Sequence, residues 1–197
     1  KGHSVKIVTL NKCANTDQKL KAKENIGKIK IERIPFIDLK YYKVAMNVLE
    51  KIREADVVHI HGIGFFSDFL ILTKFIHKKP IIISTHGGIF HTKDLGFLKI
   101  IYFYLIQQIL LKFANRILAV SKNDLKRFGE ISKKVELIEN GIDNKRFKPG
   151  EKKKNTLLYV GRFSKNKRVE KLLETVALLD KKFTLIIAGT DWEHLLW

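Results

Sequence analysis

The sequence has a single cysteine, Cys13, in 197 residues. No disulfide framework can form within the chain, and a reducing cytoplasm suits it. Acidic residues are scarce: 20 Asp+Glu stand against 38 Lys+Arg, a formal charge of +18. That imbalance points to an anionic partner: nucleic acid, a phosphorylated small molecule or an acidic membrane surface. The competing reading is a lysine-rich composition spread over solvated faces. No secretory leader pattern opens the chain. The most apolar stretch, 95–115, is interrupted by Lys99, Gln107, Gln108 and Lys112, which argues against a membrane span. No glycine loop ends in Gly-Lys-Ser/Thr, so an ordinary ATPase phosphate loop is excluded. The chain opens on Lys1 and stops at Trp197, soon after a buried strand pattern, and is expected to be a piece of a longer protein.

What is present is an alternation of strand and helix patterns. Strands are predicted over 4–10, 28–35, 57–60, 80–84, 116–120, 135–139, 156–160 and 183–188. Helices are predicted over 41–54, 65–77, 95–115 and 168–180, with a further helix starting at Ser121 or Asn123 as cap. Residues 11–24 are polar and read as a loop or lid. This alternation predicts an α/β fold: a Rossmann-like parallel sheet with helices on both faces, followed by the start of a second such domain. The charged, Pro/Gly-containing stretch 143–154 is the linker candidate. The domains are expected at 1–148 and 149–197.

The chemistry collects after the strands. His61-Gly62 follows one strand, His86-Gly87-Gly88 the next and Ser121 another. Gly161-Arg162 and Gly189 close two more. In a parallel sheet the carboxyl ends share one edge, where ligands bind. Pro80–His91 is the central stretch: three isoleucines form a buried strand that stops at Thr85-His86-Gly87-Gly88. His86 on that edge can both donate and accept a proton. His59, inside an apolar strand, reads as a packed or hydrogen-bonded core residue. His59, His61, His86 and His91 lack an acidic or cysteine companion at a recognised spacing, which argues against zinc. Gly161 to Arg168 is a basic loop between a strand and a helix. Helix amides and the Arg and Lys side chains there predict a diphosphate ligand; the alternative is an exposed basic loop.

These segments together resemble the retaining glycosyltransferases of group 1, or family 4. The resemblance rests on Asp56-Val57-Val58-His59-Ile60-His61-Gly62, Thr85-His86-Gly87-Gly88 and Ala114 to Ser121. It continues through Ile138-Glu139-Asn140-Gly141-Ile142-Asp143 to Pro149, then Leu158-Tyr159-Val160-Gly161-Arg162-Phe163 with Lys167, and Leu185 to Gly189. They come in the family's order across nearly the whole chain.

The resemblance implies two Rossmann-like domains facing across a cleft. It implies transfer of a sugar, with retention, from a nucleotide-diphosphate sugar to a sugar, lipid or lipid-linked glycan acceptor. The nucleotide sugar is a substrate, no cofactor is implied, and this architecture commonly needs no metal. Arg162 and Lys167, with Gly161, match the donor-diphosphate site. His86 matches the catalytic histidine that contacts the transferred sugar. His61, Gly62, Gly87, Gly88, Ser121, Asn140 and Gly141 fall to substrate binding. Arg168 stands where glycine is common, and Thr190-Asp191-Trp192 replaces a usual second glycine. The opening strand with its Gly-rich loop and the larger part of the donor domain have no counterpart here, so half the donor site is expected to be absent.

Basic residues beside Phe97, Tyr102, Phe103 and Tyr104 suggest attachment to an anionic membrane at its cytoplasmic face; the alternative is that this helix covers the core. Two other functions compete. One is nucleic-acid binding, which lacks a recognition helix or stacking platform. The other is an inactive subunit completed by a partner.

Overall fold

The computed structural model describes residues 2–13, 18–39, 42–87, 96–165 and 167–190. The chain divides into two compact units, Lys1–Asn140 and Gly141–Trp197. The boundary expected at 148/149 lies inside the second.

The first unit is built around a four-stranded parallel sheet in sequential order: β6 (Val58–His61), β7 (Ile81–Ser84), β8 (Arg116–Ala119) and β9 (Val135–Leu137). The register sets His61 opposite Ser84 and Ser84 opposite Leu118, so the strands end together. Strong β-formers supply the interior. Ile81, Ile83 and Ile117 are fully buried, and they pack with Phe128 and Leu111 from the covering helices and with Ala114 from the bend before β8. These helices are α2 (Phe65–Leu72), α3 (Lys74–His77), α4 (Gly96–Tyr102), α5 (Gln108–Leu111) and α6 (Lys122–Gly129). A second sheet holds β1 (Lys6–Leu10) parallel to β3 (Ile29–Ile34), with β2 (Lys23–Ile26) antiparallel on the far side of β3. Val8, Leu10 and Ile34 carry this sheet into the same core.

The second unit holds β10 (Thr156–Val160) parallel to β11 (Thr184–Ala188), with α7 (Val169–Ala177) between them in sequence. Residues 143–154 are exposed and without regular strand or helix.

Four local expectations are corrected. Residues 42–54 are not one helix: β4 (Ile37–Leu39) and β5 (Tyr42–Val44) form an antiparallel hairpin, and only Val48–Lys51 is helical, as α1. Tyr42-Lys43-Val44 has β-propensity and a facing strand, with Ile37 opposite Val44, and this outweighs the helical spacing of Val44 and Val48. The polar loop ends early, because Lys23–Ile26 pairs with β3 and Arg33 reaches the Glu24 carboxylate at 2.6 Å. The helix over 65–77 breaks at Thr73, whose hydroxyl donates to the Phe69 carbonyl at 2.6 Å. The long helix over 95–115 contains a π-helical turn, Phe103–Gln107, between α4 and α5. Residues 88–95, with Gly88 and His91, lie outside the described residues.

Candidate functional site

β6 alternates, turning Val58 and Ile60 inward and His59 and His61 outward. His59 is therefore not a core residue. It is hydrogen-bonded, with Nε2 2.8 Å from Ser84 Oγ on the neighbouring strand. Its ring centroid is 4.5 Å from that of His61. Partial burial, then the neighbouring His61 and His86, hold its pKa below the ordinary histidine value.

Beyond the strand ends the chain turns sharply. Gly62 has φ +86° and donates its N–H to the Ser84 carbonyl at 2.9 Å. His86 has φ +44° and Gly87 φ +82°, a left-handed pair that side chains other than hydrogen rarely adopt. The turn places the His86 ring beside that of His61, centroids 5.2 Å apart, with His61 Nδ1 3.0 Å from His86 Nε2. One of these nitrogens carries the proton and the other accepts it. His59, His61 and His86 thus form a continuous row along the sheet edge. Among the described residues, no group of three His, Cys, Asp or Glu is placed to hold a metal ion.

Ser121 follows β8 and caps α6: its hydroxyl oxygen accepts the Asp124 N–H at 3.2 Å, which satisfies a helix-end donor. Asp124 reaches the same edge through the helix end, as Thr85 Oγ1 and the Gly87 N–H both donate to its Oδ2. Asn140 and Gly141 are exposed and straddle the division between the two units.

In the second unit, Gly161 follows β10 and Gly189 follows β11. A side chain on Gly189 would put its Cβ 1.8 Å from the Gly161 carbonyl oxygen, so the two strand exits touch at a place only glycine fits. Arg162 and Lys167 are exposed on the loop leading into α7. The Tyr159 hydroxyl donates to the Arg162 carbonyl at 3.0 Å, and the Lys167 N–H donates to the Ser164 carbonyl at 2.8 Å. Arg168 has φ +50°, so it adopts the glycine-like backbone its position calls for without being glycine.

Sequence reasoning did not find a second buried carboxylate. Asp68, 4% exposed, lies in the first turn of α2. Tyr42 donates to its carboxylate at 2.8 Å and Gln107 at 2.6 Å, and the Tyr102 hydroxyl donates as well. The Ser67 hydroxyl lies 3.2 Å away. Burial raises the Asp68 pKa to about 6, against the opposing pull of the Tyr42, Ser67 and Gln107 bonds. Burial, then the adjacent Asp68 charge and bond, raises the Tyr42 pKa. Gln107 Oε1 is buried without a hydrogen-bond partner. Asp124 had a sequence signal, since Ser121-x-x-Asp124 has capping-box spacing; its side chain bonds across to another loop instead.

Outside the edge, the helix run 96–113 carries an exposed apolar stripe. Phe97 is 75% and Leu105 65% exposed, and Tyr104, Ile109 and Phe113 join them. Of the four aromatics expected there, Phe97 and Tyr104 face out. Phe103 is in the core, and Tyr102 is bonded to Asp68. Among the described residues no helix is long and apolar enough to cross a membrane.

A parallel sheet whose carboxyl edge gathers histidines, followed by a second strand–helix–strand unit with a basic loop, agrees with the family matches. Residues 1–146 match the model of Glycosyltransferase Family 4, and residues 141–196 match Glycosyl transferases group 1. The chain belongs to the family 4, group 1 glycosyltransferases. Its curated relatives include the GDP-mannose:cellobiosyl-diphosphopolyprenol alpha-mannosyltransferase of Xanthomonas oryzae pv. oryzae (strain PXO99A). It is 38% identical over 205 residues, covering 96% of this chain and 52% of that protein. The protein of the same description from Komagataeibacter xylinus is 34% identical over 196 residues, covering 96% and 50%. The chain thus spans about half the length of these relatives. Among solved structures, Anabaena Alr3699/HepE in complex with UDP-glucose has a TM-score of 0.62 at 14% identity. That match covers 96% of this chain and 62% of the other, and it bears on the fold alone.

Proposed function

We propose that the protein containing this chain transfers a hexose from a nucleotide-diphosphate sugar, GDP-mannose by likeness to its relatives, to a glycan carried on a lipid diphosphate. The observation that carries this reading is identity of 34–38% across 96% of the chain to relatives sharing that description. In this reading the bond from the anomeric carbon to the diphosphate oxygen breaks and the nucleotide diphosphate leaves with the electron pair. Arg162 and Lys167 stabilise the charge that develops on it, with the amides opening α7. His86 contacts the sugar. The acceptor hydroxyl joins the anomeric carbon on the face the diphosphate leaves, giving retention, and passes its proton to an oxygen of the departing diphosphate. Gly62 and Gly87 keep the backbone close to the substrate. A lipid-linked acceptor sits in a bilayer, and the apolar stripe on 96–113 suits docking on the cytoplasmic face of an anionic membrane.

The test is a thermal-shift series with GDP-mannose, UDP-glucose and ADP-glucose on the full-length protein. GDP-mannose is expected to raise Tm, and Arg162→Ala and Lys167→Ala are expected to abolish the rise. A full shift retained by both variants would remove the diphosphate assignment. A shift with UDP-glucose alone would change the donor.

A further inference from the structure

Asp124 is a buried carboxylate, 5% exposed, that the proposed reaction leaves without a task. Its backbone is fixed at the start of α6 by the Ser121 cap. Its side chain leaves its own helix. Oδ2 accepts from Thr85 Oγ1 at 2.5 Å and from the Gly87 N–H at 3.0 Å. Those two residues flank His86 on either side. Thr85 is fully buried and its own N–H donates to the Leu118 carbonyl at 3.0 Å, so one foot of the bridge stands on β8. Between the feet, His86 holds a left-handed backbone, φ +44°. Such a conformation persists only where the surroundings over-determine it. A carboxylate taking two donors at once does so.

We propose that Asp124 is a positioning residue for His86. By bridging Thr85 and Gly87 it fixes the turn that sets His86 Nε2 3.0 Å from His61 Nδ1. That bond needs one N–H and one lone pair, so holding both rings in place ties the tautomer of one to that of the other. Asp124 therefore governs which nitrogen of His86 faces the substrate without touching the substrate. The functional half of this statement rests on the role proposed for His86; the bridge itself does not.

The test uses the full-length protein with 15N-labelled histidine. Asp124→Ala removes the bridge and Thr85→Val removes one of its two donors with no change of charge, while Thr85→Ser keeps the hydroxyl. Wild type and Thr85→Ser are expected to show the hydrogen bond between His61 Nδ1 and His86 Nε2 in the ring nitrogen shifts. Thr85→Val and Asp124→Ala are expected to lose the hydrogen-bonded signature at His86 Nε2. Their kcat for sugar transfer should fall about 10–100-fold with KM for the nucleotide sugar unchanged. Variants that keep the fixed wild-type ring pattern overturn the proposal. So do variants that simply unfold, since the bridge would then serve stability alone. A wild type that transfers no sugar refutes the proposed function, while the ring spectra still decide the role of Asp124.

Discussion

Replacing Asp68 with asparagine should remove a defined part of the protein's pH-dependent stability. The Asp68 pKa rises from 3.8 to about 6 on folding, chiefly through burial. A shift of that size corresponds to at most about 3 kcal/mol. The sign follows from which state holds the proton. Below about pH 4 both folded and unfolded chains carry it, and the contribution is complete. Between about pH 4 and 6 the unfolded chain ionises first, so stability falls as pH rises. Above about pH 6 both are ionised and the loss levels off. Asparagine does not titrate, so its variant lacks this slope.

Asparagine also suits the pocket. Its amide can donate to Gln107 Oε1, which is buried without a hydrogen-bond partner, once the Gln107 amide turns over. The assay is urea unfolding by circular dichroism at intervals from pH 4 to 8, for wild type and Asp68→Asn. The free-energy difference between the two should shift by up to about 3 kcal/mol across this window and then stay flat. His59, whose pKa is lowered on folding, contributes with the opposite sign and cancels in the subtraction. Tyr42→Phe removes one of the bonds that pull the Asp68 pKa down, so it should move the window to higher pH. Wild-type and Asp68→Asn curves that run parallel at every pH would refute the reasoning.

Three further outcomes are expected. Gly189→Ala drives a Cβ into the Gly161 carbonyl oxygen; it should cost about 1–3 kcal/mol or more and lower Tm, and an unchanged melt would mean the strand exits can part. Ile83→Ala, at a fully buried position in the central strand, should cost about 2–5 kcal/mol in urea unfolding. The full-length protein should sediment with anionic vesicles at low salt. Leu105→Glu with Phe113→Glu should weaken that by about tenfold or more, whereas sedimentation equal to wild type would exclude the stripe as the docking face.

The carboxyl edge was legible because short apolar strand runs that stop at glycine declare themselves locally. His61-Gly62 and His86-Gly87 each follow an apolar run, and topology alone aligns their ends. The cap at Ser121 is equally local. What could not be read depends on partners distant in sequence. Tyr42-Lys43-Val44 becomes a strand because Ile37–Leu39 pairs with it, and periodicity carries no record of that pairing. Asp68, Tyr42, Tyr102 and Gln107 come from three separate segments that meet only in the packed core. His59 looks apolar by its neighbours, yet the alternation of β6 turns it outward. Asp124 was visible as part of a helix start, but the direction of its side chain was not.

The order β6-β7-β8-β9 has a bearing on how the chain is made. Each strand lies beside the one synthesised just before it, and only one crossover separates each pair. No strand must wait for a partner encoded much later. The sheet can lengthen from one side as the nascent chain emerges, with modest loop closure at every step. The histidine edge is therefore assembled progressively: His61 first, then His86 beside it, then the α6 carboxylate that locks the turn.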